Sequence, residues 1–261
     1  PHCTKPLLPV CLEPNLLSGL ELVAAFAIVF VGATVMGTVS FGLGLVVAPI
    51  LLLFLAPQST VVMVNSLIGI LLLIVLINTR HHFDLKLIAG AAAGGLVAVP
   101  IGVLALDNAS PAILRIAIGV VILCLAPLAI TNVELPLAQR RMTGPVIGFL
   151  TSLSVTTLSI GGPLVAIYAL ARRWPPQVMR ASLAFYFLVA DILAFGLYTQ
   201  AGMVDRDTLA NIGMMIPSLL LGFGLATVLV RRMDTRVFRY VAVTIIIVGG
   251  SILLGREIFR L

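Results

Sequence analysis

Long apolar segments with few formal charges dominate this sequence and restrict the environments in which it can fold. They occur at about 20–38, 41–56, 60–79, 86–106, 111–131, 144–160, 162–171, 177–199, 208–230 and 237–255. About 20 helical residues cross a hydrocarbon core of roughly 30 Å. In lipid such segments must be helices, because each backbone polar group has to be paired within its own segment. The sequence therefore predicts an all-α polytopic membrane protein.

The charged residues agree with this class of protein. Only 10% of the residues are charged, whereas soluble domains carry about 25%. The 16 Lys and Arg residues against 10 Asp and Glu give a formal net charge of +6, but they lie in short clusters between apolar segments. Such clusters orient a membrane protein and do not form the basic stripe of a nucleic-acid interface. We expect membrane lipid around the chain and no nucleic-acid partner. A homodimer stays open, because lipid-facing and partner-facing apolar surfaces look alike.

The sequence contains an internal repeat. A shift of 119 residues aligns 38–58 with 157–177, and eight of these 21 positions are identical. The polar, glycine and proline matches are Thr38 with Thr157, Ser40 with Ser159, Gly42 with Gly161, Pro57 with Pro176 and Gln58 with Gln177. Duplicated halves are common in transporters. We expect an external tail at 1–19, a first repeat at 20–131, a cytoplasmic linker at 132–143, a second repeat at 144–255 and a C-terminal tail at 256–261.

Residues 20–56 are too long for one straight crossing, since the 37 residues would span about 55 Å as one helix. If 20–56 and 144–171 each return to the side from which they started, Lys and Arg divide five against eleven between the two sides. If each crosses once, the division is eight against eight, which gives no orientation. We therefore expect two inverted repeats, each with a broken or re-entrant helix hairpin followed by three transmembrane helices, and both termini outside.

The two breaks are the strongest candidates for a binding site. The stretch from Ser159 to Pro163 has glycines that allow an unwound turn and a proline suited to the start of a helix. A helix N-terminus presents free N–H groups and about half a positive charge, so two aimed at one point would favour an anion. The predicted anion site consists of Thr38, Ser40, Gly42, Gly44, Thr157, Ser159, Gly161, Gly162 and Pro163. The alternative is that these small residues only allow close helix packing.

Three polar residues within or near the spans extend this hypothesis. Asp191 lies inside a predicted span, where an ionisable group is costly, so it is a candidate for a coupling proton or for a buried pair with Arg115 or Arg180. Arg180 could draw an anion inward or lie among the headgroups. Asn65 could face the site or form a hydrogen bond between helices.

Three aromatic residues, Phe41, Tyr168 and Tyr186, could form a wall of the site. Packing of their rings against lipid is the alternative.

Enzymatic and metal-dependent functions find little support. The three histidines are His2, His81 and His82, all in predicted loops, so no base accompanies Ser40 or Ser159. The pair His81-His82 beside Asp84 is more typical of an orienting loop than of a metal site. The cysteines are Cys3, Cys11 and Cys124, without CxxC spacing, and no GxxxxGK[ST] motif occurs. We expect no catalytic residue, no metal and no cofactor.

These residues resemble the TauE/SafE sulfite exporter family of membrane permeases. The similarity depends on the glycine-rich break within 32–49, on the stretch Ser159 to Leu164 and on Arg180-Ala181-Ser182-Leu183, and it extends from about residue 20 to 255. The resemblance implies a secondary transporter of sulfur-containing anions, such as sulfite, sulfoacetate or other organosulfonates, in the bacterial inner membrane. The alternatives are an anion channel, a transporter of another small anion or a metal ion, and a membrane scaffold that transports nothing.

Overall fold

The computed structural model describes residues 16–39, 42–128 and 142–229, together with 251 and 255. Every regular element in this part of the chain is helical, so the all-α prediction is confirmed. The helices are α1 Gly19–Val39, α2 Leu43–Leu51, α3 Pro57–Thr79, α4 Leu85–Asn108, α5 Pro111–Leu128, α6 Thr143–Leu158, α7 Gly162–Ala171, α8 Pro176–Gln200 and α9 Arg206–Leu229. A short 3₁₀ turn, Arg80–His82, follows α3.

Five of the described helices, α1, α3, α4, α8 and α9, are long and apolar enough to cross a membrane. The prediction of a polytopic membrane protein is therefore confirmed. By contrast, α2 and α7 contain only 9 and 10 residues. At 1.5 Å per residue each of them covers about half of the hydrocarbon core.

Local sequence explains where several helices begin and end. Pro57 and Pro176 stand at the start of α3 and α8, where a missing N–H removes no helical hydrogen bond. The Asp84 carboxylate caps α4 by accepting a hydrogen bond from the Lys86 amide at 2.9 Å. The predicted second apolar segment reached 56, but α2 ends at Leu51 because the chain tightens there into i→i+3 hydrogen bonds.

The two halves of the chain contain helices in the same order. A long helix is followed by a short one, then by two long ones, as α1 to α4 and as α6 to α9. The starts of α2 and α7 differ by 119 residues, and so do the starts of α3 and α8. This is the same shift that aligns the two sequence segments.

Helix α1 runs parallel to α9. The Ser218 hydroxyl donates to the Phe26 carbonyl, and further along both helices the Thr34 hydroxyl donates to the Gly222 carbonyl at 3.1 Å. Gly222 lies so close to α1 that a Cβ there would overlap the Phe30 carbonyl oxygen. Small residues allow this approach between helices that have no hydrophobic driving force in lipid.

Helix α4 runs parallel to α6 in the same kind of close contact. Gly94 of α4 lies against the Pro145 backbone, and Gly102 lies against Thr156 further along α6. A Cβ at Gly148 would overlap the Ala91 carbonyl oxygen. The pairs α1–α9 and α4–α6 occupy corresponding places in the order of the two halves.

Helices α3 and α8 pack against each other in opposite directions. Asn65, near the start of α3, donates to the Tyr198 hydroxyl near the end of α8 at 3.1 Å. Gly69, in the middle of α3, lies beside Asp191. After the end of α3, the rings of Phe83 and Phe185 are 4.6 Å apart. The residue numbers of successive contacts increase along α3 and decrease along α8, so the two helices are antiparallel.

Parts of the predicted domain boundaries fall outside the described residues. Most of the predicted tail at 1–19, nearly all of the linker at 132–143 and the tail at 256–261 lie there, and so do Cys3 and Cys11. The end of the second predicted repeat, from 230 onward, is described only at 251 and 255.

Candidate functional site

Both short helices start at a break that contains a glycine cap. Helix α6 ends at Leu158, Ser159 adopts a left-handed conformation with φ 59°, and Gly161 caps α7. In the first half Gly42 caps α2 with φ 107°, a conformation that favours glycine. Ser40 and Phe41, predicted as site residues, lie outside the described residues. The two glycine caps are the pair that the sequence repeat aligned.

The two breaks touch each other. A Cβ at Gly44, in the first turn of α2, would overlap the carbonyl oxygen of Ser159. The Ser159 hydroxyl in turn donates to the Val61 carbonyl of α3 at 3.2 Å. A Cβ at Gly161 would lie 2.6 Å from the Thr151 carbonyl oxygen. The alternative of close packing at these small residues is therefore present in the structure.

A cavity lies where the breaks meet. The volume that the centres of water-sized molecules can occupy in it is about 40 Å³. Roughly 10–15 Å³ of such volume holds one water molecule. The cavity therefore has room for a group of a few heavy atoms. It is lined by Met36, Gly42, Leu43, Gly44, Leu45, Ile68, Leu72, Val155, Ser159, Ile160, Gly161, Gly162, Pro163 and Phe187.

The polar character of this cavity comes from the backbone. Its lining includes the first residues of α2 and α7, and the first N–H groups of a helix have no partner within it. Each N-terminus contributes about half a positive charge. None of the lining residues is ionisable. Such an arrangement suits a small anion held by N–H groups inside apolar walls.

Six of the predicted site residues line the cavity: Gly42, Gly44, Ser159, Gly161, Gly162 and Pro163. Thr157 does not line the cavity. Its hydroxyl donates to the Gly102 carbonyl of α4 at 3.3 Å. Thr38 is the last residue but one of α1, and its side chain is not described.

Asn65 and the two tyrosines have other contacts. Asn65 donates to the Val155 carbonyl and to the Tyr198 hydroxyl, both at 3.1 Å, so the inter-helix hydrogen bond is present. Tyr186 and Tyr168 are each 2% exposed, so neither ring packs against lipid. The Tyr186 hydroxyl donates to the Gly148 carbonyl at 2.8 Å. Among the described residues, the aromatic side chain at the cavity is that of Phe187.

The two charged candidates also lie away from the cavity lining. Asp191 is 5% exposed, and neither carboxylate oxygen has a hydrogen-bond partner among the described residues. The expected alternative, a buried pair with Arg115 or Arg180, is therefore absent. Arg180 is half-buried, and its Nε has no partner in the described part of the chain.

Sequence reasoning missed the apolar lining. Met36, Ile68, Leu72, Val155 and Phe187 carry no chemical signal in a chain this apolar. One signal was available, since the 119-residue shift places Ile68 on Phe187. Both residues line the cavity. If one of them is identified as a lining residue, the repeat predicts the other.

The His, Cys, Asp and Glu side chains of the described ranges are dispersed. No group of three or more His, Cys, Asp or Glu side chains is placed together there to hold an ion. His81 and His82 are exposed on the 3₁₀ turn, and Asp84 caps α4.

The fold and the cavity define a class of protein. Broken helices in corresponding places of two halves, meeting within a set of membrane-crossing helices, are the architecture of secondary transporters. The chain belongs to the sulfite exporter TauE/SafE family, whose model matches residues 24–253. The resemblance seen in the sequence is thereby confirmed, and so is the prediction of a membrane transport protein rather than an enzyme.

One curated relative is named probable sulfite/organosulfonate exporter TauE, from Cupriavidus necator. It is 28% identical over 220 residues, which cover 82% of this chain and 84% of the relative. No solved structure matches the chain.

Proposed function

We propose that this chain is a secondary transporter that moves small sulfur-containing anions, such as sulfite or organosulfonates, across the bacterial inner membrane by alternating access. The observation that carries this proposal is the meeting of two helix breaks, one from each half, at one small cavity. The name of the Cupriavidus necator relative supports the substrate class.

The directions of the helices support re-entrant hairpins at α1–α2 and α6–α7. If both pairs return to the side from which they start and α5 crosses the membrane, α3 and α8 must run in opposite directions. If both pairs cross, α3 and α8 run in the same direction. If only one pair crosses, either α3 becomes parallel to α8 or α1 becomes antiparallel to α9. The antiparallel α3–α8 contacts and the parallel α1–α9 contacts support two hairpins.

The same directions support inverted repeats at 20–131 and 144–255, joined by a linker at 132–143. Helices α3 and α8 occupy the same place in the two halves, so their opposite directions support opposite orientations of the halves in the membrane. The division of Lys and Arg, five against eleven, then favours both termini outside.

The proposed anion site uses backbone charge within a dry surrounding. Apolar walls such as Leu72 and Phe187 exclude water, and electrostatic attraction is stronger in a medium of low dielectric constant. The N-termini of α2 and α7 supply the attraction. Ser159 positions the break through its hydrogen bond to Val61. Ser40 and Thr38 remain proposed contributors from the first half, and Phe41 a proposed wall.

Residues outside the cavity lining contribute to transport without contacting the bound anion. Asp191 is the candidate for ion coupling. Arg180 is proposed to attract anions from the cytoplasmic side rather than to bind them in the cavity, because it lies in the first turns of α8. Asn65, Thr157 and Tyr186 act by holding α6 against α3, α4 and α8.

The test compares two substitutions at Ile68, which lines the cavity. Asp and Asn have nearly the same shape, so Ile68→Asp and Ile68→Asn differ mainly by one negative charge. Thermal unfolding of purified protein is measured with and without sulfite or an alkyl sulfonate at constant ionic strength. A ligand that binds the folded state raises the midpoint. We expect a rise in the wild type and in Ile68→Asn, and none in Ile68→Asp.

Two results would contradict the proposal. One is a wild-type midpoint that no sulfur anion changes at millimolar concentration. The other is an equal rise in both Ile68 variants at a pH high enough to ionise the new carboxyl group, because an anion in this cavity must respond to the added charge.

A further inference from the structure

A second set of buried polar groups lies between α3, α6 and α8. Asn65 is 3% exposed and Asp191 is 5% exposed. Asn65 Oδ1 and both carboxylate oxygens of Asp191 have no hydrogen-bond partner among the described residues. Buried polar atoms in proteins are nearly always paired. Unpaired oxygens on neighbouring helices therefore point to a positively charged ligand.

Asn65 and Asp191 lie at neighbouring positions on α3 and α8. Gly69 lies one turn after Asn65 on the same face of α3. A Cβ at Gly69 would lie 3.8 Å from the Cβ and 3.9 Å from Oδ2 of Asp191. The Asn65 amide donates to the Tyr198 hydroxyl at 3.1 Å, and Tyr198 lies two turns after Asp191 on α8. The absence of a side chain at Gly69 leaves space beside the carboxylate.

The described helices α3 and α6 and the middle of α4 bring no cationic side chain to this space. Helices α3 and α6 carry no ionisable residue. On α8 the ionisable residues closest to Asp191 in sequence are Tyr186 and Tyr198, and Arg180 lies in the first turns of the helix. Helix α4 carries Lys86 and Asp107, which lie at its two ends. A carboxylate within a membrane is costly unless its charge is balanced.

We propose that Asp191 and the Asn65 amide oxygen form a binding site for a monovalent metal cation, Na⁺. Carboxylate and amide oxygens are hard ligands that suit such an ion. The ion balances the Asp191 charge and fills the space beside Gly69. This inference deepens the proposed function and rests on it, because it makes Na⁺ the coupling ion of the anion transporter.

The hydrogen bonds around this site connect it to the anion cavity. Asn65 donates to the Val155 carbonyl at 3.1 Å, and Tyr198 donates to the Thr156 carbonyl. Both carbonyls belong to the last turn of α6, which ends at the break. A cation that orders Asn65 and Asp191 therefore also orders the end of α6. Each ligand then strengthens the binding of the other, since coupling between two sites is reciprocal.

The test measures thermal unfolding of the purified full chain in NaCl and in choline chloride, at equal ionic strength and fixed pH. We expect Na⁺ to raise the wild-type midpoint by roughly 2–4 °C. Asp191→Asn keeps the shape of the side chain but removes its charge, so the Na⁺-dependent rise disappears. Gly69→Ala fills the space beside the carboxylate and reduces the rise. Gly196→Ala is the control, because its added methyl meets no atom within 4 Å.

The readout is the difference between the two salts within each variant, so a change in baseline stability does not affect it. Equal midpoints in NaCl and choline chloride for the wild type would overturn the proposal, and so would an unchanged Na⁺ effect in Asp191→Asn. If Asp191→Asn does not fold, an unchanged Na⁺ effect in Gly69→Ala overturns it.

Two further measurements distinguish a failure of the cation site from a failure of the anion transporter. The midpoints are measured at several pH values without Na⁺. A pH dependence that Asp191→Asn removes, with no effect of Na⁺, would make the occupant a proton and overturn the metal site. Sulfite is then added to the same preparations. A sulfite-dependent rise without any Na⁺ effect would leave the anion transporter intact and reject only the cation site.

Discussion

Gly44 connects the two breaks because it has no side chain. A Cβ at this position would overlap the Ser159 carbonyl oxygen, which is a backbone atom and cannot rotate away. Ser159 is fixed from the other side by its hydrogen bond to Val61. The spacing between the N-termini of α2 and α7 therefore depends on one glycine.

Gly44→Ala should separate the breaks and weaken anion binding. The added methyl has to displace either α2 or Ser159, and overpacking of this kind costs about 1–3 kcal/mol. We expect a lower thermal midpoint and the loss of its sulfite-dependent rise.

Gly196→Ala provides the matched control, since it is also a glycine-to-alanine change in an apolar helix but has open space around it. It should keep the sulfite response. A Gly44→Ala protein with wild-type stability and sulfite response would show that the contact at the break is not tight.

At the scale of elements, glycine contacts determine which helices associate. Helices α4 and α6 approach through Gly94, Gly102 and Gly148, and α1 approaches α9 through Gly222. In lipid such packing replaces the hydrophobic effect as the source of association. The short helices α2 and α7 remain inside the set of long helices that these contacts assemble.

Gly148→Ala should destabilise the protein without touching the cavity. Its Cβ would overlap the Ala91 carbonyl oxygen, so α4 and α6 have to move apart. We expect a loss of about 1–3 kcal/mol, seen as a lower midpoint in thermal unfolding.

Gly213→Ala on α9 is the control, because no atom lies within 4 Å of the added methyl. It should be neutral, or slightly stabilising through the higher helix propensity of alanine. Equal midpoints for Gly148→Ala and Gly213→Ala would contradict the packing account.

The helices and breaks could be predicted because their signals are local. Glycine, serine and proline at 159–163 mark a break whatever surrounds them, and Gly42 was identified by its match to Gly161. The cavity lining could not be predicted in the same way. Ile68 and Leu72 look like any other apolar residues of a membrane helix, since lipid and protein interior select the same side chains. The sequence likewise does not reveal that the Ser159 and Thr157 hydroxyls donate to backbone carbonyls.

In the whole molecule, the two hairpins determine which loops lie on the same side of the membrane. Two hairpins place the α3–α4 turn and the α7–α8 loop on one side, and the α4–α5 and α8–α9 turns on the other. Two single crossings would instead put the α3–α4 turn and the α7–α8 loop on opposite sides. The contact of Phe83, in the α3–α4 turn, with Phe185, in the first half of α8, agrees with the two-hairpin arrangement.

Cysteine labelling in intact cells tests this arrangement. Single cysteines replace His81, Pro175, Asn108 or Gly202 in a background without the three native cysteines. A maleimide that cannot cross the membrane should label Asn108→Cys and Gly202→Cys, and should label His81→Cys and Pro175→Cys only after permeabilisation. Different accessibility of the His81 and Pro175 positions would contradict the two-hairpin topology.

The most direct test of the central claim is the flux of radiolabelled sulfite in vesicles reconstituted with purified protein. A transporter with one central anion site should give flux that saturates with sulfite, that is accelerated by unlabelled sulfite on the opposite side, and that Ile68→Asp abolishes while Ile68→Asn retains. Flux that rises linearly without saturation or exchange would indicate a channel. No flux of any sulfur anion, with correctly inserted protein, would contradict the account.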